Sequence, residues 1–284
     1  MRVLVTGAGG MLGRDVLRAC ELRGHSVLGL PRAELDITDG PAVDATVTRL
    51  RPDAVVNCAA WTDVDGAEAH ETDALRTNSE AAGVVSAAAA SVGATVLYPS
   101  SDYVFDGNKT TPYLESDLTG PISAYGRSKL AGETSTAVAN DRHMIVRSSW
   151  LYGAGGRNFV ETMLALAADQ PEVLVVSDQI GCPTYTAHLA ASIAELIEGE
   201  AFGIHHVAGG GACSWYDFAQ EIFDQSGTDC RVMAATTDML ARPARRPAYS
   251  ALGSERSDAR RLPSWKQGLA AYLAEREALE VGAR

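Results

Sequence analysis

The run Arg2-Val-Leu-Val-Thr-Gly-Ala-Gly-Gly-Met-Leu-Gly13 decides how the rest of this chain is read. Its first five residues form a short β-branched and apolar strand, and Leu12, Val16, Leu17 and Cys20 then recur at helical spacing. Between strand and helix, Gly7, Gly10 and Gly13 satisfy G-x-x-G-x-x-G, whereas G-x-G-x-x-G fails because Leu12 stands where its third glycine would. Glycines so placed let the backbone turn sharply out of a strand and approach a pyrophosphate, which then rests on the free amides and positive dipole end of the helix. A tight turn with no ligand is the alternative. Position immediately after an N-terminal strand and before an amphipathic helix favours the dinucleotide reading.

Outward from that turn, strand and helix signals alternate. Strands are expected at Val27 to Leu30, Ala54 to Cys58, Thr95 to Tyr98 and His143 to Arg147, with helices at Ala42 to Leu50, Thr77 to Val92 and from Ser123 onward. This predicts an α/β fold, a doubly wound parallel sheet of the Rossmann type, over residues 1–150. Past Trp150 the pattern loosens, with helices at Asn158 to Ala168 and Thr186 to Ile197, strands at 173–176 and 204–207, and a capping box at Ser214 and Asp217. The two strands are expected to complete the sheet. Residues 151–284 otherwise form a smaller C-terminal lobe that binds substrate.

Composition narrows the partners. A net charge of -12 offers no basic stripe for nucleic acid or an anionic membrane, although local positive groups could still hold an anionic ligand. No leader-like segment opens the chain and no apolar run reaches spanning length, so a cytoplasmic protein is expected. The five cysteines lack C-x-x-C spacing and read as reduced, packed thiols. No metal site is expected, since the histidines and cysteines lack ligand spacing.

Two constellations carry chemistry. At the end of the second strand, where a carboxylate would favour NAD, stand Pro31 and Arg32; Arg32 could accept a 2′-phosphate, so NADPH is expected over NADH, with a solvated turn arginine as the alternative. Asp36 is placed to accept from the adenine amino group, or to serve a turn. Further on, Tyr125 and Lys129 sit four apart on a predicted helix and share one face. With nine tyrosines and lysine only at 109, 129 and 266, such a pair arises by accident in about one chain in ten. A nearby ammonium would favour phenolate and bring Tyr125 toward a working general acid and base. The strand ending at Tyr98 delivers Ser100, Ser101 and Asp102 to the carboxyl edge, where a hydroxyl can donate to a carbonyl oxygen, or where a Ser/Asp turn simply closes the strand.

Taken with Leu35-Asp-Ile-Thr38, Asn57-Cys-Ala-Ala-Trp-Thr-Asp-Val-Asp65, Ser100-Ser-Asp-Tyr-Val-Phe-Asp-Gly107, Arg147-Ser-Ser-Trp-Leu-Tyr-Gly153, Asp178-Gln-Ile-Gly-Cys-Pro-Thr184 and Ser214-Trp-Tyr-Asp-Phe-Ala219, the chain resembles the dTDP-4-dehydrorhamnose reductases of the extended short-chain dehydrogenase/reductase superfamily over nearly its whole length. The resemblance implies that Ser101, Tyr125 and Lys129 are catalytic, with serine where threonine is frequent. It implies that Gly10, Met11 and Leu12 hold the pyrophosphate, Asp36 and Ile37 the adenine end, and Ala60, Trp61 and Thr62 the inner ribose and nicotinamide. Asp102, Trp150 and Arg246 would meet a nucleotide sugar, although Tyr249, three residues past Arg246, departs from the small polar residue common there. Some relatives dimerise through carboxylates around Mg2+; with Ala187 and His188 in that region, a monomer or metal-free homodimer is expected. The implied reaction is NAD(P)H-dependent reduction of a 4-keto-6-deoxyhexose. Other nucleotide-deoxysugar 4-ketoreductases, and a non-catalytic subunit like the regulatory subunit of methionine adenosyltransferase, share the same resemblance.

Overall fold

Val3 to Thr6 are all buried, as a strand covered on both faces requires, and the computed structural model, which describes residues 1–282, shows what covers them. In chain order β1 (Arg2–Thr6), α1 (Met11–Leu22), β2 (Ser26–Leu30), α2 (Gly40–Leu50) and β3 (Ala54–Asn57) alternate without interruption. Two short helices, α3 (Val64–Ala69) and α4 (Glu71–Leu75), lead into α5 (Ala81–Ser91), β4 (Thr95–Ser101), α6 (Ala124–Ala139) and β5 (His143–Ser148). The second part contains β6 (Leu151–Tyr152), α7 (Phe159–Asp169), β7 (Glu172–Val176), β8 (Ile180–Gly181), β9 (Thr184–Tyr185), α8 (Thr186–Leu196) and β10 (Gly203–His206). It ends with β11 (Cys213–Ser214), α9 (Trp215–Ser226), β12 (Arg231–Ala235) and α10 (Trp265–Gly282).

Six strands form one parallel sheet in the order β10-β5-β4-β3-β1-β2. Alternation along β1 sends Val3 and Val5 to a core shared with Val16 and Cys20 of α1 and Leu189 and Ile193 of α8, and sends Leu4 to the opposite core with Val43, Val47 and Val85. The strand order reverses between β1 and β3, which opens a crevice at their carboxyl ends. This is the Rossmann arrangement.

The strand at 173–176 does not complete that sheet. As β7 it pairs in parallel with β12 in a sheet of its own, burying Val173 and Val175 while Leu174 stays exposed. A half-apolar strand accepts either partner, and β12 was not expected from the sequence. The strand at 204–207, as β10, does join the large sheet, beside β5. A separate core is buried past Trp150, with Phe218 and Ile222 of α9, Val160 and Met163 of α7, and Leu269 of α10.

The helix expected over 77–92 is also modified, because residues Arg76–Glu80 form a widened π turn before α5 begins. No helix among the described residues is long and apolar enough to cross a membrane.

Near the carboxyl end of β5 lies a buried ion pair. Arg147 of β5 donates to both carboxylate oxygens of Glu133 on α6, at 2.8 and 2.7 Å, and Ser100 donates to the same carboxylate at 2.5 Å. Both side chains are at most 4% exposed. Removing one partner strands the other charge away from water, so Arg147→Ala is expected to cost about 3–5 kcal/mol in urea unfolding, and a loss below 1 kcal/mol would show the pair to be dispensable.

Candidate active site

The glycine-rich turn is shaped by close backbone approach. Gly7 has φ +65, and a Cβ there would lie 2.5 Å from the Ala59 amide nitrogen at the end of β3. A Cβ on Gly13 would lie 2.5 Å from the Gly7 carbonyl oxygen, so Gly13 lets α1 sit against the turn. Gly10 caps α1 in extended conformation with no side-chain cap, and Gly9 and Gly10 are exposed. The first amides of α1, including Met11 and Leu12, therefore have no side-chain acceptor from the cap, which is the arrangement an anionic pyrophosphate fits.

At the end of β2, the Asp36 carboxylate accepts from the Thr38 amide at 3.0 Å and its hydroxyl at 2.8 Å, and Arg32 pairs with it at 3.3 Å. The Thr38 hydrogen bonds and Arg32 hold its carboxyl below the usual range. Arg32 remains 86% exposed, so its guanidinium can still reach a ligand. The Ile37 side chain is committed to the core beside Val43.

Ala60, Trp61 and Thr62 follow β3, across from the turn. Their loop is held by Asn78, a residue that no motif in the sequence marks. The wholly buried Asn78 accepts from the Trp61 amide at 2.8 Å and donates to the Trp61 carbonyl at 3.1 Å and to Ser128 of α6 at 2.9 Å. Ser128 in turn donates to the Tyr125 carbonyl at 2.8 Å. The π turn is what aims Asn78 this way, and its own carbonyl is taken by the Tyr98 hydroxyl at 2.9 Å. One asparagine in an alanine-rich helical run was the available signal.

The Ser123 side chain caps α6, accepting from the Gly126 amide at 3.1 Å, and so sets Tyr125 and Lys129 on the first turns. Tyr125 is half-buried, packs like Trp61 against the cluster of Ala67, Ala74 and Ala124, and lies edge-on to Tyr103 with ring centroids 5.9 Å apart. The Ser101 hydroxyl, from the end of β4, is near enough to the Tyr125 phenol to act on its titration. Burial pushes the phenol up to about 12, with Ser101 opposing. The expected lowering by Lys129 is not seen, because that side chain is turned away. Lys129 is buried, donates to the Pro99 carbonyl at 2.8 Å and sits 4.0 Å from the centre of the Tyr98 ring. Burial pulls its ammonium down to about 7, against Glu133 and Cys58.

Asp102 follows Ser101 directly and is 2% exposed. Both its oxygens are engaged, by Ser101 at 3.1 Å and by Ser250 at 2.5 Å, so it is not presented to a sugar in this conformation. Next to Tyr103 opens a cavity of about 760 Å3, lined by Phe159, Met163, Gln179, Trp215 and Arg246 among others. Trp150, with φ +49, stacks on Trp215 at 3.6 Å, and Gly181 leaves room for its indole, since a Cβ there would come within 2.4 Å of the ring. One face of Trp150 is thus already covered, and it is Trp215 that lines the cavity. Arg246 also differs from expectation: its fork grips Asp65 at 3.0 and 2.9 Å. Its neighbours Arg242 and Arg245 line the cavity as well, and Arg245 has no charge partner among the described residues. These are the local positive groups that an anionic ligand needs within an acidic protein.

A family model described as the RmlD substrate binding domain matches residues 1–278. The chain belongs to that family. It is 48% identical to a dTDP-4-dehydrorhamnose reductase of Streptomyces griseus, covering 90% of this chain and 86% of the relative. A dTDP-4-keto-6-deoxy-D-glucose reductase of Streptomyces niveus is 43% identical, with 89% of each chain covered. The solved dTDP-4-dehydrorhamnose reductase of Bacillus anthracis, in complex with NADP, superposes with a TM-score of 0.94 at 38% identity, covering 96% of this chain and 99% of that one. RmlD family membership agrees with the parallel sheet, its switch point and the glycine turn.

The lowered ammonium of Lys129 also couples stability to pH. Between about 7 and its ordinary 10.5 the unfolded chain holds a proton that the folded chain does not, so Lys129 makes stability rise with pH across that window. Urea unfolding of the cofactor-free chain at pH 7 and 9 is expected to show a smaller rise, or a larger fall, in Lys129→Met than in wild type. An identical pH response in both would contradict this assignment.

Proposed function

We propose that this chain reduces the C4 keto group of a dTDP-linked 6-deoxy-4-keto hexose, turning dTDP-4-dehydro-L-rhamnose into dTDP-L-rhamnose with NADPH. The observation that carries the reading is the nearness of the Tyr125 phenol on α6 to Ser101 at the carboxyl end of β4, with Lys129 on the same helix. The bound cofactor supplies a hydride to the sugar carbonyl carbon. Tyr125 gives its phenolic proton to the carbonyl oxygen as negative charge develops there, and a phenol held near 12 stays protonated and ready to donate. Ser101 donates a second hydrogen bond to that oxygen and fixes its position. Lys129, at the boundary between ammonium and amine, is suited to grip a ribose hydroxyl and to lower the phenol once it turns toward it. Gly7, Gly10 and Gly13 with the amides of Met11 and Leu12 take the pyrophosphate, Asp36 and Ile37 flank the adenine, and Ala60, Trp61 and Thr62 line the nicotinamide side. Trp215, with Trp150 stacked behind it, walls the sugar site, and the arginines around Arg246 offer positive charge to the nucleotide diphosphate. The same reading has the enzyme work in the cytoplasm, as a monomer or a metal-free homodimer.

A second reading, a 4-ketoreductase for a different dTDP-deoxysugar, draws support from the Streptomyces niveus relative. A panel of dTDP-, UDP- and GDP-linked 4-keto sugars with NADPH, with product stereochemistry determined, separates the two. Absence of turnover on every dTDP sugar would refute both.

Tyr125→Phe is expected to lower kcat by about 10²- to 10⁴-fold while NADPH binding, followed by fluorescence, persists. Near-normal kcat in that variant would remove the acid from the mechanism. Arg32→Ala is expected to lower the NADPH-to-NADH ratio of kcat/KM by about tenfold, since a guanidinium on a 2′-phosphate is a charge-assisted contact. An unchanged ratio would relieve Arg32 of that role.

A further inference from the structure

Ser250 lies 148 residues from Asp102 in sequence, is 1% exposed, and donates to the Asp102 Oδ2 atom at 2.5 Å. Its place is fixed by backbone pairing, since its amide donates to the Ile180 carbonyl at 2.8 Å and the Ile180 amide to the Ala248 carbonyl at 2.8 Å. On the other side of the carboxyl group, Oδ1 faces the Ser101 hydroxyl at 3.1 Å, and Ser101 Oγ also accepts from the Tyr103 amide at 3.1 Å.

The count of hydroxyl protons is decisive here. Ser101 has one proton and two lone pairs. If Asp102 is ionised, the Ser101 proton points into Oδ1 and away from the reacting centre. If Asp102 is protonated on Oδ1, it donates to Ser101, the Tyr103 amide fills the other lone pair, and the only place left for the Ser101 proton is the open side toward Tyr125 and a substrate carbonyl. A hydrogen bond donated by Ser250 to Oδ2 favours that oxygen as the carbonyl and so the carboxyl proton on Oδ1.

We propose that Ser250 is a positioning residue for the reduction, acting through a protonated Asp102 to aim the Ser101 hydroxyl at the carbonyl oxygen of the substrate. This rests on the ketoreductase reading above and adds to it a buried polar path from the smaller lobe to the reacting centre. Burial pushes the Asp102 carboxyl up to about 7, against the hydrogen bonds from Ser250 and Ser101, so both forms are accessible near neutrality. The other titratable groups facing it are Tyr103 on its own turn, Tyr125 on α6 and Cys182 between β8 and β9. Burial raises all three, to about 12 for Tyr125 and about 11 for Cys182, so they stay neutral between pH 6 and 8. Lys129 also titrates near 7, and the experiment has to separate it from Asp102.

The test follows kcat against pH, from about 5.5 to 9, for the full chain with saturating NADPH and dTDP-4-keto-6-deoxyhexose. Wild type is expected to lose activity as pH rises through the Asp102 titration. In Ser250→Ala the carboxylate loses a stabilising hydrogen bond, so this limb moves up by roughly one pH unit and kcat below the limb falls several-fold, because the proton is no longer confined to Oδ1. Asp102→Asn, whose amide donates at every pH, is expected to lose the limb altogether. NADPH affinity, measured for each variant, reports whether the site is intact. A wild-type limb that survives unmoved in both variants assigns it to Lys129 and overturns the proposal, as does a wild-type profile flat across this range. If Asp102→Asn binds NADPH yet is inactive, Ser250→Ala decides alone, an upward shift supporting the proposal and an unmoved limb overturning it. A wild-type chain that turns over no dTDP-linked keto sugar at any pH defeats the ketoreductase reading itself.

Discussion

Position 7 cannot carry a side chain, because a Cβ on the backbone leaving β1 would collide with the backbone leaving β3. This contact sits at the switch point of the sheet, and both walls of the crevice depend on it. Because Gly7 permits the approach, the chain turns directly into α1, whose uncapped N-terminus faces the crevice. Because Cys58 and Ala59 are drawn close on the other side, the loop through Trp61 faces the same crevice and can be clamped by Asn78 to α6. The glycine turn and the loop clamped to the Tyr125 helix are therefore set by one backbone juxtaposition rather than by two independent features.

Around the ends of β4 and β5 the molecule buries an unusual set of polar groups. Glu133 and Arg147 neutralise one another and take Ser100 as a third partner. Lys129 donates to the Pro99 carbonyl beside the Tyr98 ring, and Asp102 accepts from two hydroxyls, so burial moves both toward neutrality in opposite directions. The fully paired charges are structural and the incompletely paired ones titrate near pH 7. A site that moves a proton at neutral pH needs groups of the second kind, held in place by groups of the first.

The smaller lobe is tied to the site by side chains more than by the sheet. Arg246 grips Asp65 near α3, Ser250 reaches Asp102, and Trp150 stacks on Trp215 across Gly181. Each pairs a residue near the large sheet with one from later in the chain, so the cavity wall and the end of β4 are positioned together.

Local pattern settled a good deal. Alternating apolar strands and helices specified the doubly wound sheet, and the glycine spacing marked the tight turn between β1 and α1, because backbone sterics and periodicity act over a few residues and are written in them. The i, i+4 spacing put Tyr125 and Lys129 on one helix face for the same reason. What sequence could not decide was partnership. Val173 to Val176 reads the same whether it pairs with the large sheet or with Arg231–Ala235, and only packing chose the latter. Asn78 and Ser250 carry no motif of their own; their roles arise from neighbours 50 and 148 residues away. The direction of Lys129, the carboxylate that claims Arg246, and the two hydroxyls that enclose Asp102 were likewise settled by tertiary structure, because desolvation and hydrogen-bond pairing depend on what surrounds a group in space, and a local sequence window contains only its neighbours along the chain.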